Sequence, residues 1–408
     1  MRGRSKAIII ISVFFVILIT GAVTYNDPTT RLNVKKILGI MKEPITSQEI
    51  KIEEFVIGLR APTTMTFVDD NILFFEKYTG KVRLIKNGVL IDEPLLDLDV
   101  SSAAESGGLG ILALNSTVFV YFTEAENDGG NIIGDSIYRY SLSEDKLVDP
   151  VLVNRFPVFD SSHHGGSMTR DSKGGIYVVR GDQLIEGKNK EPGILQNFND
   201  GPIDDNGVII RVGINDLDIT PSLSSDPFEH YYAIGIRNSF GISFDPLTDY
   251  LWETENGSQD NDEVNLVLPN FNSGWAKIMG PANKTQLESL PKIGKFVYSD
   301  PEFTWEEPVA PTAITFAGMN WGNQFQDKVF VGSCVGKIFQ FTLNSTRTGF
   351  IFESDDLKDL VLNKGDNSEE ITFLDNLGCI TDIKFGSDGS MYVVSFANNG
   401  IIYKITPE

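Results

Sequence analysis

Apolar positions fall in short runs separated by turns, and from about residue 47 onward one unit recurs: an apolar strand, a turn of Asp, Asn, Ser or Gly, and a second strand rich in β-branched and aromatic residues. Met65–Val68 turns through Asp69-Asp70-Asn71 into Ile72–Phe75, and Lys81–Ile85 follows. Gly110–Leu114 turns at Asn115-Ser116 into Val118–Thr123. Ser167–Arg170 turns through Asp171-Ser172-Lys173-Gly174 into Ile176–Val179, and Gly241–Phe244 turns through Asp245-Pro246-Leu247-Thr248 into Tyr250–Glu253. Thr312–Ala317 reaches Lys328–Gly332 and Lys337–Leu343 by a longer turn. Ile380–Phe385 turns at Ser387-Asp388-Gly389 into Met391–Ser395, and Ile401–Ile405 ends the series. Long helical periodicity is almost absent.

Recurrence of a hairpin unit along a chain marks a radial repeat. A four-stranded blade cannot bury both faces alone, so blades stack in a ring. The pattern predicts an all-β protein, a six-bladed β-propeller of four-stranded antiparallel blades. The strand near Ile50–Ile57 is expected to complete the last blade and close the ring. A pair of β-sandwiches does not explain why the unit recurs with insertions of variable length.

One stretch breaks the pattern. Ala7–Tyr25 is almost wholly apolar and follows Arg2, Arg4 and Lys6. At 1.5 Å per residue, about 19 residues just cross a hydrocarbon core, and the basic flank is expected to stay cytoplasmic. The expected organisation is a signal-anchor or transmembrane helix over 1–25, a linker over 26–46 and the propeller over 47–408. This places a single-pass protein in the cell membrane with its propeller on the extracellular side. A cleaved signal peptide is the alternative, although the apolar run is long for one.

Charge narrows the partners. The 56 acidic residues outnumber the 34 basic ones, for a net charge of −22. Such a body repels phosphate backbones, so nucleic acid is not an expected partner. Two cysteines exclude a disulfide scaffold, and three histidines make a multi-His metal site a poor reading.

Candidate chemistry collects at strand ends. Ser161-Ser162-His163-His164-Gly165-Gly166 precedes the third copy's first strand, and Gly181-Asp182 ends its second. An antiparallel hairpin sets the start of one strand beside the end of the next. His163 and Asp182 are therefore expected neighbours, a base and the carboxylate that orients it. By the same argument Arg237 and Asn238 lie beside Glu255-Asn256-Gly257-Ser258, and Glu105 starts the second copy on that rim. The run Asp260-Asn261-Asp262-Glu263 reads equally as a Ca²⁺ oxygen donor or as a solvated turn.

These segments resemble the pyrroloquinoline quinone (PQQ)-dependent soluble glucose and aldose sugar dehydrogenases, the glucose/sorbosone dehydrogenase family. The similarity covers about residues 55–405. His163-His164-Gly165-Gly166 resembles the family's H-x-G-G-R, and Glu105–Leu112 its Q/E-x-G-L-L-G-x-A. Ile236–Asp245, Glu255-Asn256-Gly257, Asp262-Glu263-Val264-Asn265 and Asn272-Ser273-Gly274-Trp275 resemble R-N-P-x-G, E-H-G-P, D-E-I-N and N-Y-G-W in the family's order. The resemblance implies hydride transfer from a sugar C1 to PQQ, with a sugar substrate and a separate electron acceptor. His163 would be the base, Asp182 its partner and Arg237 the stabiliser of the reduced cofactor. Glu105, Arg237 and Asn238 would contact PQQ, and carbonyl oxygens of Gly257 and Ser258 would bind Ca²⁺.

Some positions depart from the family pattern. Ser167 stands for an arginine, Cys379 and Thr381 for two more, Cys334-Val335 for a lysine, and Glu105 for a glutamine. In the family the lysine and an arginine converge on one ligand from neighbouring blades. The resemblance therefore implies that Cys334 and Cys379 approach each other and form a disulfide, with two separate thiols as the alternative. With cations missing, two other functions stay open. One is a non-catalytic surface propeller that binds sugar, protein or Ca²⁺; the other is a Ca²⁺-dependent hydrolase of lactonase type.

Overall fold

The computed structural model describes residues 45–46, 50–183, 197, 205–212, 228–317 and 321–407. Their strands form six sheets. The first sheet opens with Pro62–Val68, Asn71–Glu76 and Lys81–Lys86, and the second is Gly108–Leu114, Thr117–Ala125, Ile132–Ser143 and Lys146–Phe156. The third runs Met168–Arg170, Ile176–Arg180, Val208–Val212 and Tyr231–Ile234, and the fourth Ser239–Phe244, Leu251–Glu255, Asp262–Val267 and Phe303–Trp305. Pro311–Phe316, Lys328–Ser333 and Ile338–Leu343 lead the fifth. The sixth is Cys379–Phe385, Met391–Phe396 and Gly400–Pro407, with Ile50–Leu59 as its outer strand. That outer strand pairs antiparallel from Ile50 opposite Pro407 to Leu59 opposite Gly400.

The first strand of each sheet packs against the first strand of the next, and the sixth against the first. The arrangement is an all-β propeller of small, mainly antiparallel sheets within one compact unit, Thr46–Glu408.

Burial follows from stacking. Second strands are covered on both faces, so Ile176–Arg180 and Leu251–Glu255 are buried throughout. Outer strands keep one face in water, and Lys146–Phe156 is largely exposed. The apolar interior is accordingly split into wedges between neighbouring sheets. One joins Leu73 and Phe75 to Val118 and Val120, the next Tyr121 and Phe156 to Val178 and Ile210. Trp321, Phe330, Phe373 and Phe385 fill another with edge-to-face and tilted ring contacts.

The expected membrane location is corrected. Among the described residues no helix is long and apolar enough to cross a membrane. The stretch 7–25 that suggested one, and most of the linker 26–46, lie outside the described residues.

Candidate active site

The third sheet builds the centre of the site. The loop before Met168–Arg170 carries left-handed backbone at His163 (φ 56°), Gly165 (71°) and Gly166 (102°). Glycine suits the latter two because no Cβ opposes that conformation. The neighbouring first strand comes so close that a Cβ on Gly110 would lie 1.9 Å from the Gly166 carbonyl oxygen. The loop thus delivers His163 to the rim where Ile176–Arg180 ends in Gly181-Asp182.

There Nδ1 of His163 is 2.6 Å from Oδ1 of Asp182, both side chains buried. A carboxylate only accepts, so Nδ1 carries the hydrogen, and in the neutral ring the lone pair is on Nε2. The second oxygen of Asp182 accepts from the Trp275 indole N–H at 2.7 Å. The Arg237 guanidinium sits 5.3 Å from a Trp275 ring centroid, a cation–π distance. The Arg237 amide donates to Glu255 Oε1 at 2.5 Å, and its carbonyl accepts from the Asp182 amide at 2.8 Å. Glu105 Oε2 accepts from the His163 amide at 2.6 Å. His163, Asp182, Arg237 and Glu105 therefore meet at one rim.

A cavity of about 330 Å³ opens beside them. Glu105 and Asn238 line it, together with Lys77, Phe240, Phe396 and a disulfide between Cys334 and Cys379, whose Cα atoms are 3.8 Å apart. Burial lowers the Lys77 amine from its ordinary range, and the nearby Glu105 carboxylate opposes that shift. A groove of about 340 Å³ among Tyr177, Tyr232 and Phe244 lies at the turn end of the third and fourth sheets and shares none of these residues.

The loop expected to bind Ca²⁺ holds a guanidinium. Arg237 Nη1 donates to the carbonyl oxygens of both Asn256 and Gly257, each at 2.8 Å. A guanidinium on the Gly257 oxygen leaves that oxygen unfit for a second cation as the loop stands. Ser258 is exposed. Asp262 offers nothing either, since its oxygens accept from the amides of Gly257, Val309 and Ala310. Among the described residues no group of three or more His, Cys, Asp or Glu is arranged to hold a metal. Asp262 and Glu263 are also buried, so that half of the acidic run is no solvated turn.

Sequence reasoning missed several members of the site. Trp275 was legible only as part of a motif, with nothing to tie it to Asp182, which lies 93 residues away. Glu255 was expected beside Arg237, but not its burial: it lies under the Arg237 amide, raised to about 7 mainly by burial and held down by the Arg237 and Ser273 hydrogen bonds. Glu253 and Glu263 lie beside it, Glu263 raised to about 8 by burial and by the Glu255 charge. Asn265 donates to both Glu253 and Glu263.

The glucose/sorbosone dehydrogenase family model matches residues 59–404. The chain belongs to that family. The aldose sugar dehydrogenase YliI of Escherichia coli K12 is 23% identical over 377 residues, 88% of this chain and 93% of that protein. The solved soluble aldose sugar dehydrogenase of Escherichia coli, in its apo form, superposes with a TM-score of 0.67 at 21% identity, covering 88% of this chain and 100% of that one. The PQQ-bound aldose sugar dehydrogenase of Streptomyces coelicolor does so with a TM-score of 0.63 at 18% identity, covering 89% and 100%. The sugar dehydrogenases among the family members are oxidoreductases that act on CH–OH groups.

Two buried polar atoms at the rim lack a hydrogen-bond partner: Arg237 Nε and Asn238 Oδ1. A donor and an acceptor on adjacent residues, with flat Phe240 and Phe396 in the cavity wall, fit a planar group with polar edges, as PQQ is. Lys77 is the one cationic side chain among the described lining residues, alongside the carboxylates of Glu105 and Asp382.

Proposed function

We propose that this protein is a PQQ-dependent aldose dehydrogenase built on a six-bladed ring, which oxidises the C1 hydroxyl of a small sugar and passes the electrons to a separate acceptor. His163 takes the hydroxyl proton at Nε2. Asp182 holds the Nδ1–H tautomer and stabilises the imidazolium that forms. Trp275 fixes Asp182 from the other side. Arg237 Nε and Asn238 hold the cofactor's polar edge, and Lys77 supplies charge for one of its carboxylates. PQQ, when bound, supplies the hydride acceptor. The observation that carries the reading is the 2.6 Å His163–Asp182 pair beside a cavity that Asn238, with its unpartnered Oδ1, lines.

The test is titration of the full chain with PQQ, followed by absorbance and by dye reduction with a panel of aldoses. Saturable binding with aldose-dependent dye reduction is expected. No binding at high micromolar PQQ overturns the reading. It would leave a cofactor-free sugar-binding propeller, which the Ser167, Cys334 and Cys379 replacements favour; sugar binding by calorimetry without PQQ identifies that case.

A further inference from the structure

Beside His163 lies a second buried imidazole that the proposed reaction does not use. Nδ1 of His164 is 2.9 Å from both carboxylate oxygens of Asp135, and its Nε2 is 3.1 Å from the Ser106 hydroxyl. All three side chains are essentially inaccessible to solvent. Asp135 also accepts from Thr123 and Gln183, each at 2.9 Å, and lies 3.5 Å from the Arg180 guanidinium. The order hydroxyl–imidazole–carboxylate matches a nucleophile's triad, but Ser106 is sealed from solvent and from the cavity, so it cannot meet a substrate.

The connectivity suggests another use. Two adjacent residues, Glu105 and Ser106, grip the two adjacent histidines from one side: Glu105 at the His163 amide and Ser106 at the His164 ring. Two more, Asp182 and Gln183, grip them from the other: Asp182 at the His163 ring, and Gln183 through Asp135. The Tyr121 hydroxyl donates to the His164 carbonyl at 3.1 Å. His163 sits between these grips in left-handed backbone, a conformation that costs a non-glycine residue energy and persists only where its surroundings enforce it. Apolar side chains would fill the same space without the desolvation cost of Asp135 and Arg180.

We propose that Ser106, His164 and Asp135 form a positioning device that sets the orientation of the His163 ring and of the Glu105 side chain, without touching any ligand. This rests on the reading of His163 as the base. The charged and titratable groups around the two rings are Asp182 and Glu105 at His163, and Asp135, Arg180 and Tyr121 at His164.

With three histidines in the chain, imidazole NMR of the full-length protein resolves the question. Signals are assigned with His163→Gln and His230→Gln, and His230 serves as an internal control. In His164→Asn and Ser106→Ala the His163 ring-nitrogen signals should shift, because the ring loses its fixed orientation, with the His230 signals unmoved. Turnover should fall about tenfold with KM changed less than about twofold, since orientation and not binding is lost. Unchanged His163 signals in the folded variants overturn the proposal. If His164→Asn does not fold, Ser106→Ala, which removes one hydroxyl, decides by the same criterion. A parent protein with no turnover sinks the proposed function but leaves the ring measurement decisive for the positioning role.

Discussion

Where the second and third sheets meet, the carboxylates of Asp135 and Asp182 each face an imidazole, and Asp135 has Arg180 nearby as well. One sheet further round, Glu253, Glu255 and Glu263 are just as deeply buried, but their hydrogen bonds come from neutral groups: the Arg237 and Gly280 amides, Ser273 and Asn265. The first corner answers burial with basic partners. The second answers it with protons, since burial raises all three glutamates, Glu253 well above its ordinary value. Burial alone does not dictate how an acid is accommodated; the partner on the next strand does. The basic corner keeps its rings oriented for chemistry, whereas the protonated corner supports Arg237 through an amide hydrogen bond.

Breaking the basic corner should give the largest effect. His163→Ala is expected to lower turnover roughly a thousandfold, within the range for a general base, with the fold intact by circular dichroism. A mild loss would move the base elsewhere. Asp135→Ala tests stability at the same corner. It leaves Arg180 and His164 buried without their carboxylate, and urea unfolding should show a loss of about 3–5 kcal/mol. Glu253→Gln in the protonated corner should cost far less at pH 5, and equal losses would erase the distinction.

The disulfide gives a covalent reference between the two scales. It links residues 45 apart in sequence, and the Cys334→Ser, Cys379→Ser double variant should lose about 2–4 kcal/mol. Thiol counting on unreduced, denatured protein should find none free.

A smaller effect comes from pH. Glu255 and Glu263 have folded values near 7 and 8 against 4.5 for the free side chain. Their contribution is complete below the unfolded value and is lost as pH rises through the folded values. The melting temperature should therefore fall between about pH 5 and pH 8, and Glu263→Gln should flatten that decline. The smallest expected effect is none: chelating Ca²⁺ should leave PQQ binding unchanged, because Arg237 already occupies the Gly257 carbonyl. A strong chelator effect would show that Arg237 turns away when ligand binds.

The propeller was legible because each hairpin announces itself locally, through an Asp or Gly turn between two β-rich runs. The approach of His163 and Asp182 followed from antiparallel register alone, as did Arg237 beside Glu255. The cysteine pairing came only through the resemblance. Contacts between sheets left no trace in the sequence. Ser106, Asp135 and His164 are 29 and 58 residues apart in their two contacts and sit on three separate segments. The acidic run at 260–263 kept a solvated turn among its two readings because composition does not reveal that Asp262–Val267 is sandwiched between strands. The contact between Arg237 and the loop carbonyls was not legible either: no motif records that its guanidinium folds back onto them. The apolar segment near the N-terminus suggested an anchor on its length, its hydropathy and the basic residues before it, and it lies outside the described residues.

Closing the ring with Ile50–Leu59 has a consequence for the chain while it is being made. Its partner, Gly400–Pro407, leaves the ribosome roughly 340 residues later, a delay of about 20–70 seconds at usual elongation rates. Over that interval a ten-residue strand with Ile, Val and Phe waits without its mate. Unpaired edges recruit other strands. The alternation of Lys51, Glu53 and Glu54 with apolar neighbours places charge along that edge, which discourages two nascent chains from zipping together before each can complete itself.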